Sequence, residues 1–178
     1  MSVKDTILKL RKMKSLDKKK LFINFIIILI IFFTDRLTKL YVLNLAEVSN
    51  NVDIYLTPYL NIYLIWNKGI AFGLLTFDQN IIYNFISVLI GLASFFILIL
   101  ILKTNDFRIY FYSIILGGAL GNLFDRVYYS AVPDFIDLHI QNFHWFVFNV
   151  SDIFISFGVI CLILVELILD KSLGNEKK

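Results

Sequence analysis

The sequence predicts an all-α integral membrane protein of four transmembrane helices, with both termini cytoplasmic and a small extracytoplasmic, β-containing platform between the first two helices. Three observations lead there. The 178 residues are 58% apolar and only 17% charged, with a mean hydropathy of +0.76, well beyond the balance of a soluble domain. Four windows approach the run of about 20 mostly apolar residues that a bilayer crossing requires, with charges held at their ends. Most of the Lys and Arg residues fall in three regions that four crossings bring to one face.

The first span covers roughly residues 20–43 around the uncharged core LFINFIIILIIFF. A signal peptide is excluded, because TDRLTKLYVL follows with no small-x-small cleavage site and the apolar pattern continues past Lys39. Residues 81–102 form the second span and carry no charge at all. The third, residues 108–125, is shorter and ends in polar residues; its Gly117, Gly118, Ala119 and Gly121 suit close helix packing. A fourth span covers residues 149–170, opening on Asn149, Ser151 and Asp152. The intervening stretches, 44–80 and 126–148, are too polar to cross and read as extramembrane or interfacial, with YLTPYLNIYLIWN suggesting short strands.

Residues 1–20 hold eight basic residues, the 103–108 turn holds Lys103 and Arg108, and the tail holds Lys171, Lys177 and Lys178. The positive-inside rule therefore puts a basic leader (1–19) and a tail (171–178) in the cytoplasm, flanking one membrane domain (20–170). Anionic lipid headgroups account for a net charge of +3, so nucleic acid is not an expected partner. Cys161, the only cysteine, reads as a buried small hydrophobe, and a Cys-based zinc site is excluded.

Ionisable groups in a membrane protein are the informative ones, since a charge at mid-depth costs at least ~2.5 kcal/mol. Asp35, Arg36 and Lys39 fall near the outer end of the first span, Asn122, Asp125 and Arg126 at that end of the third, and Asn149 and Asp152 at the start of the fourth. Asp134 and Asp137 lie in the loop on the same side. Singly, each has a plain structural explanation: Asp35 and Lys39 as an i, i+4 ion pair, Asp125 and Arg126 as an interfacial pair, Asp152 in a capped first turn. His139 and His144, five residues apart without carboxylate or Cys support, argue against a metal site.

Convergence of carboxylates is what those explanations leave over. Two acids held together in a poorly solvated place share a proton, which permits aspartic hydrolysis: one carboxylate takes a proton from water while its protonated partner polarises the scissile carbonyl. A proton-coupled carrier and a non-catalytic scaffold are the competing readings. HExxH, GxSxG and glycine-rich phosphate loops are all missing from the chain.

The ordered blocks DRLTK (35–39), NKGIAFG (67–73), GGALGNLFDR (117–126), VPDFIDL (132–138) and FNVSD (148–152) resemble the bacterial lipoprotein signal peptidases, or signal peptidase II. The resemblance implies an aspartic peptidase of the bacterial cytoplasmic membrane, working near the extracytoplasmic face as a monomer among membrane lipids, with no metal or organic cofactor. Its substrates would be diacylglyceryl-modified prolipoproteins, cut just before the lipidated cysteine. By that pattern Asp134 and Asp152 are the catalytic pair and Asp137 a neighbour, a choice the residues alone leave open. Asp35, Lys39, Asn67, Gly73, Asn122, Asp125, Arg126 and Asn149 match the family's other polar or glycine positions and are expected to support the dyad or bind substrate. Ile70, Pro133 and Ser151 depart from the family pattern.

Overall fold

The computed structural model describes residues 18–49, 51–69, 80–141 and 143–175. Four helices and one sheet account for nearly all of them: α1 (Lys18–Ser49), β1 (Asp53–Thr57), β2 (Leu60–Asn67), α2 (Asn80–Lys103), α3 (Arg108–Tyr129), β3 (Val132–Ile140), β4 (Phe143–Phe148) and α4 (Val150–Asn175). Residues 1–17 of the basic leader, and Gly73 and Ile70 of the NKGIAFG block, lie outside the described residues.

Three helical segments are long and apolar enough to cross a membrane: α1, Tyr83–Lys103 of α2, and Val150–Ile168 of α4. Their exposed side chains include Phe22, Ile30, Leu92, Phe95, Ile163 and Ile168, a surface that in water would aggregate but in lipid needs no cover. α3 is not among the three, and its position explains why. It packs against α1, α2 and α4 and buries Ser113, Ile115, Leu116, Gly117, Gly118 and Gly121, so its middle is enclosed by protein where the other helices expose apolar side chains. A helix in that place needs small residues more than hydrophobic ones.

The glycines show how tight the packing is. A Cβ on Gly117 would stand 2.9 Å from Ile31 Cβ of α1, and one on Gly118 2.7 Å from the Ser151 carbonyl oxygen of α4. At Gly121 it would lie 2.6 Å from Asp35 Oδ2. Gly121→Ala is therefore expected to cost about 1–3 kcal/mol, the range for overpacking a close-packed site. Gly91→Ala, which meets nothing within 4 Å, is expected to be neutral. Thermal unfolding of the two variants in detergent makes the comparison.

One end of the bundle gathers basic groups. Lys20 of α1 donates to the backbone carbonyls of Asn105 and Asp106 in the α2–α3 turn, and Arg108 pairs with Glu166 of α4 at 2.8 Å. At the opposite end sits an antiparallel four-stranded sheet in the order β1-β2-β3-β4. An all-α description is thus incomplete, and the sheet is larger than a platform confined to residues 44–80, because β3 and β4 come from the 126–148 stretch. β3 escapes a sequence reading because it is buried on both faces over most of its length, which removes the alternation that marks a half-exposed strand. α1 also outruns its expected limit by six residues, ending at Ser49. At 1.5 Å per residue its 32 residues span roughly 48 Å, more than the ~30 Å of a hydrocarbon core, and its last turns pack on the sheet. Val42, Val52 and Phe135 form that contact, with Leu45, Ile62 and Val150 around them.

Candidate active site

Where the sheet meets the helices, Asp35, Lys39, Asn67, Asn122, Asp125, Arg126, Asp134, Asn149 and Asp152 are drawn into one assembly. Its foundation is Lys39, fully buried, which donates to Asp35 Oδ2 at 2.9 Å, Asn122 Oδ1 at 2.8 Å and Asp125 Oδ2 at 2.6 Å. Three donors meet three acceptors, so the ammonium is fully satisfied. Arg36 adds a second cation, 2.5 Å from Asp125 Oδ1 and stacked over Phe124.

Asp125 and Arg126 are not each other's partners. Adjacent helical residues diverge by about 100°, so Asp125 faces α1 while Arg126 donates to the Gly69 carbonyl just after β2 and lies over the Tyr83 ring of α2. Arg126 thereby ties the NKG segment to α3.

The start of α4 is fixed from two sides. Asn149 Oδ1 accepts from the Asp152 backbone N–H at 3.2 Å while Asp152 Oδ2 accepts from the Asn149 N–H at 3.1 Å, a reciprocal capping arrangement. The next orphan donor, Ser151 N–H, bonds Asp35 Oδ1 of α1 at 3.0 Å. A carboxylate from another helix thus completes the α4 N-terminus, where the macrodipole favours an anion.

Asp134 enters from β3. Its Oδ1 accepts from Asn149 Nδ2 at 2.6 Å and its Oδ2 from Asn67 Nδ2 at 2.8 Å, while Asp152 Oδ1 accepts from Asn122 Nδ2 at 2.8 Å. Chemistry dictates how all three amides face. The Lys39 ammonium, the Gly69 N–H and the Asp152 N–H can only donate, so each claims the oxygen of its asparagine (Asn122, Asn67 and Asn149 respectively). Each amide must then turn its N–H₂ to a carboxylate. Asn149 serves both acids, its side chain reaching Asp134 and its backbone Asp152.

Burial, and after it the nearby Asp152 charge, push the Asp134 carboxyl up to about 7 against the opposing pull of the Asn149 and Asn67 N–H groups and of Lys39. Both aspartates line one cleft of about 230 Å³ together with Asn67, Asn122, Arg126 and Asn149, walled by Ile90, Val132 and Ile155.

Asp137 is equally buried but sits three residues beyond Asp134, and an odd offset along a strand points the two side chains to opposite faces. It bonds His144 and lies outside the cleft. Sequence reasoning alone missed that separation, although strand alternation would have supplied it once β3 was recognised. The partnership of Arg36 with Asp125 and the role of Ser151 N–H had no visible signal, since both depend on how helices distant in sequence are placed.

The sequence profile of Signal peptidase (SPase) II matches residues 27–168. A lipoprotein signal peptidase of Pelagibacter ubique (strain HTCC1062) is 56% identical over 93% of this chain and 99% of its own. One from Anaplasma phagocytophilum (strain HZ) is 38% identical over 84% of this chain and 94% of its own. A solved bacterial membrane enzyme superposes with a TM-score of 0.63 at 28% identity, covering 84% of this chain and 89% of its own. With every block that builds the cleft inside the matched region, the chain belongs to the signal peptidase II family.

Proposed function

We propose that the chain is an aspartic endopeptidase with Asp134 and Asp152 as its catalytic pair, removing signal peptides from diacylglyceryl-modified prolipoproteins just before the lipidated cysteine. The observation that carries this reading is the meeting of two buried carboxylates, from β3 and from the first turn of α4, on a single asparagine in one cleft. α3 serves as the fourth span, the basic end of the bundle faces the cytoplasm, and the sheet end with the cleft lies at the extracytoplasmic face of the bacterial cytoplasmic membrane. The enzyme acts as a monomer in contact with lipid.

In the reaction, the ionised aspartate takes a proton from water as its oxygen attacks the scissile carbonyl, and the protonated aspartate hydrogen-bonds the carbonyl oxygen as charge develops there. Collapse of the tetrahedral intermediate breaks the C–N bond and sends a proton to the leaving amine. Asp134 is suited to hold the shared proton near neutrality; Asp152, at a helix N-terminus, is placed as the base. Lys39, Asp35, Asp125 and Asn122 hold the pair in position, and Arg126 holds the segment above it. Apolar walls beside the cleft suit a substrate whose acyl chains remain in the bilayer.

The test is incubation of the purified protein in detergent with a diacylglyceryl-modified prolipoprotein, followed by mass spectrometry across pH. Cleavage immediately before the modified cysteine is expected, and an intact substrate would overturn the proposal. Below about pH 7 Asp134 is protonated and able to donate; above it that donor is lost. Activity is therefore expected to fall as pH rises through about 7. Because the folded protein holds this proton more tightly than an unfolded chain, Asp134 also contributes stability that is full below the ordinary carboxyl value of 3.8 and is lost as pH rises from there to about 7. Asn67→Ala removes a donor that favours the carboxylate, so its alkaline limb is expected to shift to higher pH.

A further inference from the structure

The face of β3 turned away from Asp134 carries a second cluster. Asp137 and His139 share that face by their i, i+2 spacing, and His144 of β4 is the cross-strand partner of His139. A register shift produces this pairing: Leu138 faces Phe146, whereas His139 faces His144, leaving Trp145 as the additional residue. Without it Trp145 would oppose His139, so the bulge is what aims the second imidazole at the carboxylate. Asp137 Oδ2 lies 2.8 Å from His144 Nδ1 and 3.6 Å from His139 Nδ1, and one ligand atom from each residue falls within 4.8 Å of the others.

Hydrogen bonding within the cluster leaves it incomplete. His139 is 7% exposed and Asp137 1%, yet His139 Nδ1 and Asp137 Oδ1 are buried atoms with no hydrogen-bond partner. Such atoms cost roughly 1–3 kcal/mol each unless something satisfies them. Both are ligand atoms, and both belong to the same cluster.

We propose that Asp137, His139 and His144 form a binding site for a first-row divalent transition-metal ion that clips β3 to β4. Two imidazoles and one carboxylate suit Zn²⁺, Co²⁺ or Ni²⁺, whereas Mg²⁺ and Ca²⁺ require mostly oxygen ligands. Tetrahedral Zn²⁺ with bonds of about 2.0–2.2 Å sets its ligand atoms about 3.4 Å apart, a spacing that the 2.8 and 3.6 Å separations bracket. His144, with its side chain 57% exposed, can make the remaining adjustment by rotation and leaves the fourth position open to water. His139 and His144 show no accompanying carboxylate in their own HIQNFHW segment, and the strand pairing supplies one in Asp137. The ion takes no part in peptide cleavage, because Asp137 lies outside the Asp134–Asp152 cleft.

The experiment is calorimetric titration of the full-length, chelator-treated, untagged protein in detergent with ZnCl₂, alongside melting curves with and without the ion. One equivalent of Zn²⁺ is expected to bind saturably and raise the melting temperature by several degrees, with MgCl₂ doing neither. His144→Ala removes a hydrogen bond to Asp137 along with a ligand, so its metal-free melting temperature should fall slightly and, unlike that of the wild type, should not rise with Zn²⁺; both it and Asp137→Asn should weaken Zn²⁺ at least tenfold. Failure of the wild type to bind, or wild-type affinity in either variant, overturns the site. So does Zn²⁺ binding that survives His144→Ala and disappears in Asp134→Asn, which would place the ion in the cleft. None of these readouts depends on peptidase activity, so the site stands or falls separately from the proposed reaction.

Discussion

Asp134→Asn and Asp152→Asn are each expected to lower kcat/KM for a diacylglyceryl-modified prolipoprotein by about 10²–10⁴, the range that a positioned proton-transfer group contributes. The substitutions preserve shape, so the loss reads out the missing proton chemistry. Their effects on stability differ in origin. Both oxygens of Asp134 accept N–H groups, from Asn67 and from Asn149, and an asparagine there must turn its own N–H₂ toward one of those donors. A mismatch of that kind costs about 1–3 kcal/mol, offset in part because an awkwardly buried carboxyl has gone. At Asp152 an asparagine oxygen can still accept from the Asn149 N–H and keep the cap. In the proposed reaction the two acids act on one proton, so the double variant should be scarcely worse than either single one. Asp137→Asn, on the other face of β3, should cut within about threefold of wild type, well short of the general acid–base range. Initial rates by mass spectrometry, with melting curves for the wild type and all four variants, decide the matter. An Asn variant at 134 or 152 that retains near wild-type turnover would remove that residue from the reaction.

The bundle was legible in the sequence because lipid-facing helices declare themselves by composition alone: α2 needs no partner to be recognised. α3 shows where that signal weakens, since a helix enclosed by three others carries Gly117, Gly118 and Gly121 in place of bulk. Its boundary at residue 125 was drawn at the first charges, but Asp125 and Arg126 are buried inside the assembly and the helix runs to Tyr129. The polar residues of the site were visible as misfits in an apolar chain, and their gathering at one end followed from topology. Their connections were not. Asp35 and Lys39 announce an i, i+4 pair, yet the same groups also bind α3 and the first turn of α4. Separating Asp134 from Asp137 required knowing that residues 132–140 form a strand, which burial on both faces conceals. The His139–His144 pairing depends on a bulge that local sequence does not encode.

Lys39→Met is expected to be the most destabilising single change in the described structure, at about 3–5 kcal/mol. Lys39, Asp35 and Asp125 are all fully buried, so removing the ammonium strands two carboxylates in a place where neither can be hydrated. Arg36 compensates only in part: it lies 2.5 Å from Asp125 but 3.5 Å from Asp35. Lys39→Arg is not expected to rescue, because a larger, planar guanidinium cannot meet three acceptors arranged for a compact ammonium. Combining Lys39→Met with Asp35→Asn and Asp125→Asn removes the stranded charges and should restore much of the stability, as neutral replacement of buried ion networks does. Activity should not return with it. Asn122 is oriented only because Lys39 claims its oxygen, and without that donor the amide no longer holds its N–H₂ on Asp152. Denaturant unfolding in detergent gives the stability arm and initial cleavage rates the other. A single variant that loses less than about 1 kcal/mol would mean the carboxylates are hydrated and the network does not support the site, since a solvated ion pair has no more than that to give. Recovery of both stability and activity in the triple variant would mean that Lys39 serves folding alone and that Asp152 is positioned by its capping bonds with Asn149.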